Sequence, residues 1–80
     1  MKINLIAYGI AKEILQARQL EFESVQGETI ATLKLKLYQR FPEFAKLNSL
    51  SFAIGENYQE DSCLLHENDE VVIIPPVNGG

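Results

Sequence analysis

Residues 30–40 hold the one long stretch of helical periodicity in this 80-residue chain, and that constrains the fold more than any other feature. Ile30, Leu33, Leu37 and Phe41 recur at spacings of three, four and four, the repeat of a single helical face. Thr29 stands where an N-cap hydroxyl can accept a hydrogen bond from a free backbone N–H, and Pro42 stops the run. Leu33-Lys34-Leu35-Lys36-Leu37 also alternates like a strand, but the segment is too long for one; as a helix it leaves Leu35 opposite the stripe, an ordinary exposed leucine. A lone main helix must bury its stripe against a sheet.

The remaining segments supply that sheet. Residues 2–8 put Ile3, Leu5 and Ala7 on one face and Asn4, Ile6 and Tyr8 on the other, so the second face of this strand is partly apolar. Gly9 breaks the strand, and Ile10, Ala11, Ile14 and Leu15 recur at helical spacing over 10–16. Residues 18–25 alternate, with Leu20 and Phe22 inward and Glu21 and Glu23 outward. Leu50, Phe52 and Ile54 mark a third strand, closed by the turn Gly55-Glu56-Asn57. Leu64 and Leu65 precede a polar turn, His66 to Glu70, in which Asn68 suits a left-handed backbone. Val71 to Ile74 shows no alternation and reads as a central strand covered on both faces, ended by Pro75-Pro76. The order is strand, strand, helix, strand, strand, with the most apolar strands, first and last, side by side at the centre. The expected fold class is α+β, a mixed sheet with one main helix packed on one face: a globular domain over 1–74 and an extended tail over 75–80.

Composition narrows the function. With 46% hydrophobic and 22% charged residues the chain is expected to fold as one module around a single core. No apolar run approaches the roughly 18–20 residues of a membrane span, and no basic stretch with an apolar core opens the chain, so a cytoplasmic protein without a membrane partner is expected. One cysteine, Cys63, excludes an intrachain disulfide, a Cys-based zinc site and a Cys-ligated iron–sulfur cluster. Seven Lys and Arg against eleven Asp and Glu, a net charge of −4, oppose nucleic-acid binding. The last basic residue is Lys46; beyond it stand six acids, Glu56, Glu60, Asp61, Glu67, Asp69 and Glu70, with only His66 as a further cation. Glu56, Glu60 and Asp61 read most simply as acids that solvate loops, while the sharper reading of this acidic half, which leads to the C-terminus, is that it docks on a basic partner.

Catalytic constellations are sparse. The five glycines, at 9, 27, 55, 79 and 80, form no phosphate-binding loop. Cys63 with His66 is the only nucleophile–base pairing to consider; it lacks an orienting third group, and a half-buried thiol with a solvated imidazole is the plainer reading. Asp69 and Glu70 alternate at a strand start and turn apart. What remains is the tail, Pro75-Pro76-Val77-Asn78-Gly79-Gly80. Fully extended it reaches on the order of 20 Å, and the two prolines bias its root toward extended geometry. Without Cβ atoms, Gly79 and Gly80 can enter a narrow channel and leave the terminal carbonyl open to attack from either side. A carboxylate is inert until activated, so an external enzyme using ATP would have to convert it to an acyl-adenylate; the chain itself binds no cofactor.

Three segments carry a resemblance: Thr29-Ile30-Ala31-Thr32-Leu33, the turn and strand Leu65 to Val71, and above all Ile74-Pro75-Pro76-Val77-Asn78-Gly79-Gly80. Together they resemble the small, sulfur-carrying subunits of molybdopterin synthase, a ubiquitin-like β-grasp family. The resemblance spans the whole chain; where the family has Asp-Gly in its last turn, this chain has Glu67-Asn68. It implies a non-catalytic sulfur-donating subunit whose terminal carboxylate is adenylated by a ubiquitin-activating-like adenylyltransferase and converted to a thiocarboxylate. The tail then enters the large subunit, in a heterotetramer, and gives its sulfur to cyclic pyranopterin monophosphate in molybdenum cofactor biosynthesis. On this chain Gly80 would carry the sulfur, Gly79 would give steric access, and Ile74, Pro75, Pro76, Val77 and Asn78 would contact the partner.

Competing readings are, in order, a sulfur carrier for another pathway such as thiamine thiazole synthesis, whose carriers generally lack the Pro-Pro root; a ubiquitin-like modifier that ends in an isopeptide bond; and a pure interaction domain. A stand-alone enzyme comes last, for want of a pocket constellation.

Overall fold

The structure, a computed structural model, describes residues 1–47 and 49–76. β1 (Lys2–Ala7) is followed by α1 (Gly9–Leu15), β2 (Gln19–Glu23), α2 (Ile30–Arg40) and a short 3-10 helix (Pro42–Lys46). The chain then makes β3 (Ser51–Ile54), β4 (Asn57–Gln59) and β5 (Glu70–Ile74). The strands form one sheet in the order β2-β1-β5-β3-β4, in which β1 and β5 run parallel and every other pair is antiparallel. A mixed sheet with its first and last strands at the centre and one main helix across a face is the β-grasp architecture, as the sequence led us to expect.

The core forms where the sheet meets the helices. Ile3, Leu5 and Ala7 from β1, Phe22 from β2, Phe52 from β3, and Val71 and Ile73 from β5 are buried against Ile30, Leu33 and Leu37 of α2 and Ala11 and Leu15 of α1. The expected fourth member of the helical stripe, Phe41, instead ends α2 as its half-buried C-cap. Phe44, from the 3-10 helix that the sequence reading missed, is fully buried and meets Phe41 edge-to-face at 6.2 Å. Pro42 both stops α2 and opens this turn, because its missing N–H falls where no helical partner exists. Leu35 is 61% exposed, as expected of its place opposite the stripe.

Two further differences follow from edge and face effects. Asn57, expected to close the turn that begins at Gly55, instead opens β4, a three-residue edge strand that the sequence did not suggest; with mostly exposed side chains it has no hydrophobic alternation to read, and pairing with β3 defines it. In β5 only Val71 and Ile73 are buried, while Val72 and Ile74 are half-buried, so the strand is covered on one face, not both. Asn68 takes the expected left-handed conformation, φ 70°.

The start of α2 ties the remaining loops down. Thr29 and Thr32 cap reciprocally: Thr32 N–H donates to Thr29 Oγ1 at 3.3 Å and Thr29 N–H to Thr32 Oγ1 at 2.9 Å. The two other donors of the first turn, Ile30 and Ala31 N–H, reach the carbonyls of Cys63 and Asp61, each at 3.0 Å. Just before the cap lies Glu28, whose side chain is 1% exposed. Its Oε1 accepts from Ser24 Oγ at 2.7 Å, Lys36 Nζ at 2.8 Å and Val25 N–H at 3.4 Å. Burial alone would raise this carboxyl, but the hydrogen bonds from Lys36, Ser24 and Thr32 and the Lys36 charge outweigh it and hold the pKa below the usual carboxylate range.

Because the folded pKa is depressed, this stabilisation is present above the unfolded carboxyl's pKa and is lost as pH falls through the folded value. Glu28→Gln is expected to cost about 1–3 kcal/mol near neutral pH, and the gap to the parent chain should close as pH drops below about 4. Urea unfolding across that range measures it; a gap that persists unchanged in acid would show that the charge of Glu28 is immaterial.

Candidate functional site

β5 is a central strand, hydrogen-bonded to β1 on one side and β3 on the other, with Ile74 in register with Ser51. Past Ile74 come Pro75 and Pro76, both half-buried, and neither can donate to a ladder. The root of the tail is therefore fixed by the middle of the sheet. Of the residues singled out from the sequence, Ile74, Pro75 and Pro76 sit together at this root; Val77, Asn78, Gly79 and Gly80 lie outside the described residues.

Beside the root lies the sheet face that no helix covers. The strand registers place Gln19, Ile6, Val72, Ala53 and Tyr58 in one row across all five strands. Ile6 and Val72 are half-buried and Tyr58 is 69% exposed, so the row presents apolar surface to solvent. Ile74 lies on the same face, and Tyr8, just past β1, is exposed with the Arg18 guanidinium 5.9 Å from its ring centroid. The sequence reading missed this surface as a unit. Its signal was the apolar second face of β1, but only the cross-strand registers show that Ile6 joins Val72 and Tyr58.

Charge is distributed unlike the sequence expectation. β1 and β5 run together and β2 and β3 against them, so the starts of β1 and β5 share one end of the sheet with the ends of β2 and β3. Glu21, Glu23, Glu56, Glu67, Asp69 and Glu70 fall at or near that end, where Lys2 pairs with Glu21 at 3.8 Å. The tail root leaves from the opposite end, where Ala7, the partner of Ile73, donates its N–H to the Arg18 carbonyl at 2.8 Å. The acids that precede the tail in sequence, from Glu67 to Glu70, are thus a full strand length away from its root.

Cys63 and His66 have separate local partners. The Cys63 thiol packs against the core and donates to Leu64 O at 3.5 Å. The His66 ring is 79% exposed with Nδ1 3.9 Å from Asp69, while its backbone N–H donates to Asp69 Oδ2 at 2.7 Å. That carboxylate closes the turn through the His66 backbone. Among the described residues no group of three His, Cys, Asp or Glu could hold a metal ion, and no helix is long and apolar enough to cross a membrane.

Fold and tail root together define a ubiquitin-like β-grasp domain with its C-terminal strand at the sheet centre. SAMP1, a small archaeal modifier protein of Haloferax volcanii, is similar in fold: TM-score 0.81, 13% identity, 100% of each chain covered. So is a complex of subunits 1 and 2 of the molybdopterin-converting factor of Helicobacter pylori, in which the matched chain gives TM-score 0.67 at 17% identity with 100% of each chain covered. The chain belongs to the ThiS family, whose model matches residues 6–80. Among curated proteins it is similar to the molybdopterin synthase sulfur carrier subunit of Arabidopsis thaliana, 28% identical over 81 residues that cover 100% of this chain and 84% of that protein.

Since the His66 ring is exposed and its turn is closed by the backbone N–H, His66→Ala is expected to keep the parent's thermal midpoint, whereas Cys63→Ser puts a hydroxyl where the thiol packs against the core and is expected to cost about 0.5–1.5 kcal/mol. Thermal melting of the two variants checks this, and a His66→Ala midpoint well below the parent's would show that the ring itself holds the turn.

Proposed function

We propose that this chain is a sulfur carrier whose reactive atom is the carbonyl carbon of Gly80, acting as the small subunit of molybdopterin synthase. In this reading the Gly80 carboxylate attacks the α-phosphorus of ATP on a ubiquitin-activating-like adenylyltransferase, releasing pyrophosphate and leaving an acyl-adenylate. A sulfur nucleophile at the oxidation level of sulfide then displaces AMP to give the thiocarboxylate. Inserted into the large subunit, the thiocarboxylate sulfur attacks a carbon of cyclic pyranopterin monophosphate and displaces an oxygen substituent; water then attacks the Gly80 carbonyl carbon and breaks its C–S bond, which leaves the sulfur on the precursor and returns the tail to carboxylate. ATP is spent on the activating enzyme, and the chain holds no cofactor of its own.

The observation that carries the reading is the placement of the tail root at the end of a central strand within a ThiS-family chain ending in Gly79-Gly80. A central strand cannot slide without breaking two ladders, so the root is rigid and the reach of the tail is set by residue count alone. The curated relative, named a sulfur carrier subunit of molybdopterin synthase, supports the pathway, and the subunit 1–subunit 2 complex supports a large-subunit partner. The row Ile6–Val72–Tyr58, packed around the buried Ala53, is the natural surface for that partner, because it adjoins the tail root and offers apolar area to bury. Gly79 and Gly80 serve passage and attack; Ile74 through Asn78 line the way in.

Fixed reach makes the chemistry sensitive to a single residue. Removing Gly80, or appending one alanine so that the Gly80 carboxylate becomes an amide, is expected to lower adenylation by at least about a hundredfold. Thermal stability should stay within about 0.5 kcal/mol, because neither change touches the core. ATP–pyrophosphate exchange with the activating enzyme measures the first and thermal melting the second. Normal exchange with the alanine-extended chain, its mass unchanged, would overturn the carrier reading and leave an interaction domain.

The partner surface is tested separately. Tyr58→Glu places a charge in the row at a 69% exposed position, so it should fold like the parent yet weaken large-subunit binding by about tenfold or more. Titration calorimetry checks it, and unchanged affinity would move the interface off this face.

A further inference from the structure

β2 is an edge of the sheet: it pairs with β1 and with no other strand. Ser24 and Met1 exchange both backbone bonds, Ser24 N–H to the Met1 carbonyl at 2.8 Å and the Met1 ammonium to the Ser24 carbonyl at 2.9 Å, and Ala7 N–H donates to the Arg18 carbonyl at 2.8 Å. Antiparallel pairing alternates, so the even-numbered residues of β2 turn their N–H and C=O toward β1, while Gln19, Glu21 and Glu23 turn theirs outward. Those three residues are exposed, and among the described residues no further backbone bond reaches them. The whole length of β2, Gln19–Glu23, thus presents a row of outward donors and acceptors.

On the α2 side of this row lies a groove of about 360 Å³ lined by Phe22, Glu23, Lys36, Gln39 and Arg40. Lys36 and Arg40 are one helical turn apart, and their stems offer apolar surface. Most of the nearby charges are already engaged. Lys36 Nζ lies 2.8 Å from the buried Glu28 carboxylate, Glu23 is 3.8 Å from the Met1 ammonium, and Glu21 is 3.8 Å from Lys2. Arg40 is different: among the described residues it has no ion pair, and its guanidinium lies 5.3 Å from the Phe22 ring centroid and 6.0 Å from that of Phe41. Contact with the rings holds the group beside the edge and leaves its N–H fork for an acceptor.

We propose that the β2 edge takes up an extended segment of a second protein as a sixth strand, with an Asp or Glu of that segment on the Arg40 guanidinium and an apolar side chain two residues away over the groove. An extended strand is the form that matches the row, because its own donors and acceptors repeat every two residues at the same spacing. Side chains two apart then share the face turned toward α2, which brings the carboxylate and the apolar group to the same groove. A second copy of this chain fits badly. Antiparallel pairing of two β2 strands about Glu21 would set Glu21 against Glu21, and like charges directly opposite are destabilising. β2 lies two strands from β5, about 10 Å away. The segment therefore binds at the rim of the sheet and leaves Ile6, Val72 and the tail root uncovered, so nothing in this binding requires the C-terminal chemistry.

The test is selection of a random dodecapeptide phage library on the full chain, synthesis of the enriched peptides, and amide hydrogen exchange with chemical-shift mapping. The expected peptides carry Val, Ile or Phe two residues from an Asp or Glu and shift resonances in 19–23 and 36–40. At saturation they should slow exchange of the Gln19, Glu21 and Glu23 amides by at least about tenfold, the mark of a new ladder. Arg40→Gln should weaken binding about tenfold and remove most of its salt dependence. Glu21→Pro deletes an outward N–H without touching the bonds to β1 and should weaken binding by at least about tenfold, whereas Glu21→Thr keeps that N–H and should bind like the parent. Melting midpoints show which variants fold; if Glu21→Pro does not, Arg40→Gln and the exchange of the three outward amides decide. A chain lacking Gly79 and Gly80 must bind the same peptides, which separates this proposal from the carrier reading. Lack of enrichment, basic or uncharged consensus peptides, outward amides left unprotected, or a folded Arg40→Gln that binds like the parent would overturn it. So would shifts that map to the uncovered sheet face or to 64–67, or self-association through β2.

Discussion

β1 and β5 lie side by side and run in the same direction, in register from Asn4–Glu70 to Ala7–Ile73. Parallel neighbours cannot be joined by a tight turn, so everything between Tyr8 and Asp69 must leave the centre of the sheet and return to it. The chain does this by adding β2 on one flank and β3 with β4 on the other, and by laying α2 over a single face. One face becomes the core and the other is left open. The direction of β5 also fixes where that strand ends: beside the end of β1, at the middle of the sheet, and away from Met1.

That geometry explains why two surfaces with different chemistry coexist on so small a domain. Beside the tail root the open face carries apolar side chains, with the Arg18 guanidinium over the Tyr8 ring. At the other end acids crowd the turn before β5, held there by Asn68 N–H on the Lys2 carbonyl at 2.7 Å and Asn4 N–H on the Asp69 carbonyl at 2.9 Å. The acidic half of the sequence is not an acidic half of the molecule's tail end, because a strand carries the chain from one pole to the other.

Much of the fold was legible in the sequence. The helix 30–40, its Thr29 cap, the buried faces of β1 and β2 and the central pairing of first and last strands follow from periodicity and capping, and the structure has them. β4 was not legible, because a polar edge strand is specified by its partner's free backbone groups and not by its own side chains. Nor was the half-exposure of Val72 and Ile74: an unbroken apolar run looks the same whether both faces are covered by protein or one awaits a partner. Phe44 takes the core position expected of Phe41 because Pro42 turns the chain between them, which a helical wheel carried past the proline does not anticipate. For the site, the Pro75-Pro76 root and the two terminal glycines were evident as sequence, whereas the row from Ile6 to Tyr58 needs the strand registers.

The central claim is that sulfur travels on the last carbonyl of this chain. Intact-mass measurement of the protein isolated from its native host, without reducing acid treatment, tests it directly. The expected species differs from the unmodified chain by replacement of one oxygen by sulfur, and fragmentation assigns that change to Gly80. A native population that is wholly unmodified under conditions of active cofactor synthesis, or one joined through Gly80 to a lysine of another protein, would contradict the claim.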